Sequence, residues 1–467
     1  MASADPEPTL DVDIAVIGFG KGGKTLAATM AKAGNRVAMI EQSAQMYGGT
    51  CINIGCVPTK ALVYRGEHPE LLGDHLDGSA RWAAAVGQTS KLTALLRAKN
   101  FAMLDTPDSA TVVTGRASFI DAHTLLVTAG DDRLTVHADT IVINTGAVPM
   151  LPDIPGLRNN GRVVTSTELL SLPSKPERLL VLGGGYIGVE FASMQASFGT
   201  NVTLLQRRTH ILPAEDEDIS DLVAALLTEQ GVRIVTGAAV NAVRNTADGV
   251  SVDYTLSDGT VDSVEGDLVL AALGRRPMTA GLGLENVGIE TDDGGAVLVD
   301  EHLRTSLPHV FALGDVNGGP QHTYISLDDY RIVLDQLTGA GARSTADRVA
   351  VPHVIFTTPP LARVGLTERE ARSTGRHLRT ATRELEAMAT VPRARIVGVT
   401  RGAMKAVTDA TTGEVLGVTM LAYDSHETIN TVAVAMRFGA TAQQLRDGIY
   451  THPSMTEALN DLFGALS

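Results

Sequence analysis

The same local unit occurs twice in this chain, and that recurrence narrows the available folds more than any other feature. In the first copy a β-like run over residues 12–17 leads into Gly18-Phe19-Gly20-Lys21-Gly22-Gly23, a G-x-G-x-x-G match. A helical stretch rich in Ala, Leu and Met follows and ends near Gly34, and a second β-like run over residues 36–40 is closed by Glu41. In the second copy residues 178–182 lead into Gly183-Gly184-Gly185-Tyr186-Ile187-Gly188. A helix then runs through Phe198 and stops at Gly199, and residues 201–205 form the next strand. Glycines so placed permit a tight turn and let a pyrophosphate approach the helix N-terminus, while an acid at the end of the next strand can bind a ribose hydroxyl. Between a strand and a helix the motif is a strong signal; alone it is a modest one.

The two copies differ at the acid. Gly18 to Glu41 spans 23 positions, as does Gly183 to Gln206, which is followed at once by Arg207 and Arg208. The acid suits the free ribose of FAD. The neutral side chain and the arginine pair suit the 2′-phosphate of NADPH in preference to NADH. The competing reading makes the two arginines an ordinary solvated turn.

Cys51 and Cys56 are the only cysteines among 467 residues. They lie close together in Gly48-Gly49-Thr50-Cys51-Ile52-Asn53-Ile54-Gly55-Cys56-Val57-Pro58-Thr59-Lys60. A structural disulfide is unusual in a reducing compartment. The pair is therefore catalytic, redox-sensing or metal-binding. As thiolates the two could attack sulfur or bind a soft metal. No nearby C-x2-C or histidine pair completes a four-ligand zinc site. His68 and His75 read as solvated loop histidines, so no metal site is assigned.

The net charge of −15 argues against a nucleic-acid or anionic-membrane surface, both of which need clustered Lys and Arg. No apolar run is long enough to span a bilayer. The acidic, proline-bearing start reads as a short disordered tail on a cytoplasmic protein. Residues 111–127 look β-rich, residues 141–146 form another strand-to-turn, and Pro149, Pro152 and Pro155 mark a crossing between domains. A third glycine element ends at Gly314-Asp315. After residue 345 the pattern changes to strands and short helices with no nucleotide fingerprint. The expected organisation is α/β: two Rossmann-like dinucleotide-binding domains and a C-terminal α+β domain. The boundaries are 1–150 (FAD, first part), 151–273 (NAD(P)), 274–345 (FAD and central, second part) and 346–467 (dimerisation).

These motifs, with His452-Pro453-Ser454-Met455-Thr456-Glu457 near the C-terminus, stand in the order found in the flavoprotein disulfide reductases. The chain resembles that family, which includes glutathione reductase, dihydrolipoamide dehydrogenase and mercuric reductase, over essentially its whole length. Residues 17–21, 46–56, 323–331 and 450–463 are similar to the RclA-type flavoproteins of reactive-chlorine resistance, associated with reduction of copper(II) and hypothiocyanous acid.

The resemblance implies roles. Gly18, Gly20, Gly23, Glu41, Gly49, Thr50, Lys60, Thr145, Gly146, Gly314 and Asp315 fall at FAD contacts. Gly183, Gly185, Tyr186, Ile187, Glu190, Gln206, Arg207, Arg208 and Gly274 fall at the nicotinamide site and beside it. Cys51 becomes the thiol that meets substrate and Cys56 the one against the flavin. Lys60 pairs with Glu190 near the flavin, and Tyr186 covers the flavin face until the nicotinamide arrives. His452, oriented by Glu457, moves protons at the disulfide of the other subunit, so the expected enzyme is a homodimer. The chain lacks the C-terminal cysteine pairs of mercuric reductases and of high-molecular-weight thioredoxin reductases. A small molecule or metal ion is therefore the expected acceptor. Mercuric reductase-like or dihydrolipoamide dehydrogenase-like activity is the alternative, and a redox sensor without rapid turnover is the alternative from another class.

Overall fold

The computed structural model describes residues 8–73, 76–105, 108–388 and 391–467. His75 and residues 1–7 of the acidic tail lie outside the described residues. The chain forms two compact units. One takes in the chain to Ala61, Ala85–Met150 and Gly274–Asp347; the other takes in Leu62–Ala84, Leu151–Leu273 and Arg348–Ser467.

The chain opens with β1 (Thr9–Ile17), α1 (Lys21–Lys32), β2 (Val37–Glu41), α2 (Gly49–Asn53) and α3 (Cys56–Glu67), the last residues of which are counted in the second unit. It continues through α4 (Gly78–Asp105), β3 (Ala110–Thr114), β4 (Arg116–Asp121), β5 (Thr124–Ala129) and β6 (Asp132–Ile143). The strand order is β3-β2-β1-β6-β5-β4, with Val310–Ala312 also paired to β6. β3, β2, β1, β6 and Val310–Ala312 run parallel, and β4 and β5 add an antiparallel edge. All five residues of β2 are buried, as a parallel strand covered on both faces requires. α1 buries Leu26, Ala27, Met30 and Ala31 in one apolar cluster with Ile14, Val16, Met39 and Ile332. Each fully buried leucine or isoleucine there contributes roughly 1.5–3 kcal/mol.

In the second unit Arg178–Leu182, Asn201–Leu205, Arg233–Val235, Leu268–Ala271 and Val163–Val164 form a parallel sheet, with Tyr186–Ser197 as the helix after the glycine loop. A three-stranded antiparallel sheet over residues 239–266 is attached to this half. The C-terminal part is a five-stranded antiparallel sheet, ordered Pro352–Ile355, Leu361–Gly365, Val415–Leu421, Ala403–Asp409, Leu378–Glu384. Helices Ser425–Arg437 and Ala458–Gly464 contribute to its core. Both glycine-loop units and the α+β C-terminal fold thus match the expected class. No helix among the described residues is long and apolar enough to cross a membrane.

Candidate active site

The cysteines sit on two consecutive short elements. Gly48 (φ +98°) turns the chain into α2, which carries Cys51 as its third residue, and α3 begins at Cys56 itself. The turn is pinned from several sides. Asn53 donates to the Tyr47 and Gly49 carbonyls (3.0 and 2.9 Å), and Arg97 of α4 donates to Asn53 Oδ1 (2.8 Å) and Gln45 Oε1 (2.7 Å). The Tyr47 ring packs against Phe19 and stacks on Phe101, with centroids 5.2 and 4.8 Å apart.

Both cysteines are free thiols, Cys51 half-buried and Cys56 exposed. They share a hydrogen bond that divides their acidities. It pushes Cys51 well above the ordinary thiol range, with burial adding to the shift. The same bond lowers Cys56 to about 6 against the cost of burial; Thr323 and the charge of Lys60 lower it further. Thr323 Oγ1 lies 3.4 Å from Cys56 Sγ. A sulfur at the first residue of a helix also faces the positive end of the helix dipole. The reduced pair therefore holds its negative charge on Cys56 and its proton on Cys51.

The first glycine loop carries a cleft lined by Gly18, Glu41, Gly115, Arg116, Thr145 and Met278 among others. Glu41 is buried, accepts from the Phe19 N–H at 3.0 Å and from the Ser43 N–H at 3.3 Å, and is held above the usual carboxylate value by burial against those bonds. Gly20, the N-cap of α1, offers no side-chain cap, which leaves that helix end for an anion. A Cβ on Gly49 would stand 2.7 Å from the Gly20 Cα, so the Cys51 turn and the glycine loop meet backbone to backbone, with Thr50 next in α2. Thr145 Oγ1 donates to the Met278 carbonyl (2.7 Å), and Gly146 accepts from the Met278 N–H (2.9 Å). The Gly314 N–H donates to Asp329 at 2.6 Å. Burial raises the Asp315 carboxyl, opposed by the charge of Arg275, the residue after Gly274. An uncapped helix end, a buried acid beyond the next strand and a half-buried acid beside an arginine fit the phosphates, ribose and ribityl chain of FAD.

The second glycine loop repeats the pattern with different charge. Gly185 caps its helix without a side-chain bond, and Tyr186 and Ile187 are that helix's first residues. Gln206 is buried; its amide donates to the His210 carbonyl (3.3 Å) and accepts from the Arg207 N–H (2.9 Å). Arg207 and Arg208 are exposed, and neither forms an ion pair among the described residues. Tyr186 donates to Glu215 Oε1 at 3.2 Å, and its hydroxyl is pushed up to about 12 by burial and by the Glu215 charge. Glu215 is in turn gripped by Arg363 (2.8 Å) and His353 (3.2 Å). Glu190 accepts from the Phe356 N–H at 2.8 Å.

His452 Nδ1 lies 2.8 Å from Glu457 Oε2, while Glu457 Oε1 accepts from the Ser454 N–H at 2.9 Å. His452 is exposed and Glu457 largely buried, so the carboxylate fixes a ring that faces outward. This pair, Tyr186 and Glu190 belong to the second unit; Cys51, Cys56 and Lys60 belong to the first.

Sequence reasoning gave no role to Thr323, Arg275 or Glu215. Thr323 opens a helix inside a motif already noted, and Arg275 follows an expected glycine. Glu215 carried no signal, because its partners are 138 and 148 positions away.

Two dinucleotide-type loops, one built for FAD, and a dithiol with divided acidity define a flavin- and nicotinamide-dependent disulfide reductase. The chain belongs to the pyridine nucleotide-disulphide oxidoreductase family: residues 12–329 match that family and residues 351–463 match its dimerisation domain. It is 48% identical over 448 residues to the probable pyridine nucleotide-disulfide oxidoreductase RclA of Escherichia coli K12, covering 96% of this chain and 98% of that one. The solved Cu(II) complex of the HOCl-induced flavoprotein disulfide reductase RclA from Escherichia coli superimposes with a TM-score of 0.91 at 47% identity, over 97% of this chain and 99% of that one. A mercuric reductase of Staphylococcus aureus is 35% identical over 456 residues, covering 96% of this chain and 81% of that one.

Proposed function

We propose that this chain is a homodimeric NADPH-dependent reductase that uses Cys51 and Cys56 to reduce a small electrophilic acceptor, an oxidised sulfur species such as hypothiocyanous acid or the copper(II) ion. The placement of the chain's two cysteines on α2 and at the start of α3, in a turn that meets the first glycine loop backbone to backbone, carries the reading. Likeness to an HOCl-induced reductase solved with Cu(II) supports the acceptor class. Bound FAD supplies the two-electron relay between nicotinamide and disulfide.

The residues act around that relay. Gln206 leaves the second loop uncharged, and Arg207 and Arg208 receive the 2′-phosphate. Tyr186, held by Glu215, closes the nicotinamide mouth until the coenzyme displaces it. Lys60 keeps a positive charge beside Cys56. Each subunit's His452, oriented by Glu457, takes the Cys51 proton in the other subunit. The Cys51 thiolate then attacks the sulfur of hypothiocyanous acid; the S–O bond breaks and hydroxide leaves, taking a proton to become water. Cys56 attacks the Cys51 sulfur, thiocyanate leaves with its electron pair, and the disulfide is restored. With copper(II), two ions each accept one electron as the dithiol closes.

The test is anaerobic NADPH oxidation by the purified holoenzyme with hypothiocyanous acid, copper(II), mercury(II), lipoamide and glutathione disulfide in turn. Continuous turnover with either of the first two supports the proposal. Turnover confined to lipoamide, glutathione disulfide or mercury(II) moves the chain to another branch of the family. Stoichiometric consumption without turnover makes it a sensor.

A further inference from the structure

Lys24 is a buried cation that the reaction as described leaves unused. It lies in the first part of α1, on the face that also buries Ala27, Ala28 and Ala31, and is only 4% exposed. Its ammonium donates to the Gly48 carbonyl at 3.3 Å and to the Asn100 side-chain oxygen. Both partners are neutral, and among the described residues no carboxylate pairs with it. A buried ammonium without a counter-ion is costly, and burial duly lowers Lys24 to about 8, with the charge of Lys21 adding to the shift. The group of opposite charge that acts on it is Cys51. Its position follows from the fold. Gly48 is the N-cap of α2, and Cys51 is three residues further on, so the ammonium is tied to the backbone directly ahead of that sulfur.

Each sulfur thus has its own lysine. Lys60 acts on Cys56 and Lys24 on Cys51, in each case favouring the thiolate. Lys21 on α1 and Arg275, whose charge interacts with both Cys56 and Asp315, also act on this set.

We propose that Lys24 is a positioning residue that holds the Cys51 turn and supplies the charge favouring a thiolate on Cys51 when the acceptor arrives, in opposition to Lys60 on the Cys56 side. One proton shared by two sulfurs is then balanced between two fixed ammoniums, and the attacking thiolate is reached without a basic group touching Cys51 from its own turn. This rests on the assignment of Cys51 as the acceptor-side thiol.

The test is alkylation of the holoenzyme, reduced anaerobically with NADPH, by iodoacetamide across a pH series, with peptide mass spectrometry to locate the label. Lys24→Gln keeps a hydrogen-bond donor for Gly48 and removes the charge; Lys24→Arg keeps the charge. In Lys24→Gln the Cys51 profile should move to higher pH, slowing alkylation at neutral pH by about tenfold. Its kcat/KM for the acceptor should fall by a similar factor, with flavin reduction by NADPH unchanged, and Lys24→Arg should restore both. If Lys24→Gln fails to hold FAD, Lys24→Met is read by the same criteria. A Cys51 profile identical in parent and charge-free variant overturns the role of Lys24 alone. Continuous turnover of the acceptor by Cys51→Ser overturns the thiol assignment and this proposal with it.

Discussion

Gly18 and Gly183 occupy the same place in their two units. Their φ angles are +102° and +104°, and a Cβ on either would meet a carbonyl oxygen just past a neighbouring strand, Asn144 or Ala272, at 2.4 Å. Both helices begin at a glycine without a side-chain cap. The backbones are therefore equivalent up to the end of the next strand, where one presents a buried carboxylate and the other a buried amide followed by two exposed guanidinia. On the proposed reading the glycine loop makes a dinucleotide site and the residue 23 positions on selects which dinucleotide.

The largest test is to damage the two loops identically. Gly18→Ala and Gly183→Ala each force a side chain into left-handed backbone and against a carbonyl, a cost of roughly 1–3 kcal/mol or more. If the units serve different cofactors the consequences part. Gly18→Ala should weaken FAD binding by about 100-fold, read by flavin fluorescence on dilution. Gly183→Ala should stay yellow and lose about 100-fold in kcat/KM for NADPH. Loss of flavin in both would break the comparison. Next in size, replacing Arg207 and Arg208 together with Ala should raise the KM for NADPH roughly 10- to 100-fold and leave NADH constants nearly unchanged. That gap should narrow in high salt.

Gln206→Glu is a smaller, sharper change. It places a carboxylate where the first unit has one and should raise the KM for NADPH by about tenfold, with NADH affected less. The smallest effect belongs to Glu41→Gln. Burial holds the Glu41 carboxyl above its ordinary value, so its charge costs the flavin-free fold stability at neutral pH, a cost relieved as pH falls through that raised value. Glu41→Gln should raise the Tm of flavin-free protein by a few degrees while weakening FAD binding roughly fivefold. A fall in Tm would show that the Phe19 N–H bond outweighs burial.

The glycine units were legible in the sequence because their chemistry is local: strand, turn, helix and acid follow one another, and β1, α1 and β2 appear within a few residues of expectation. The α+β C-terminal change was legible for the same reason, through its strand pattern. α4 was not, since its 28 residues mix Ala, Gly, Gln, Ser and Thr with no single apolar stripe, yet it carries Arg97 and Asn100 to the cysteine turn. Glu215 was invisible because its partners converge from separate chain segments. Lys24 left one trace, a lysine interrupting the small and apolar residues of a fingerprint helix. Its burial follows from α4 covering it, which spacing along the chain does not reveal.

The central claim is that electrons from the nicotinamide end up on Cys51 and Cys56. With only two cysteines in the chain, thiol counting tests it directly. Oxidised holoenzyme is mixed anaerobically with one equivalent of NADPH, quenched, denatured and alkylated, and the label is located by mass spectrometry. Two new thiols per chain, at Cys51 and Cys56, are predicted, with NADPH consumed in equal measure to the disulfide lost. Consumption of NADPH with the disulfide intact would contradict the account.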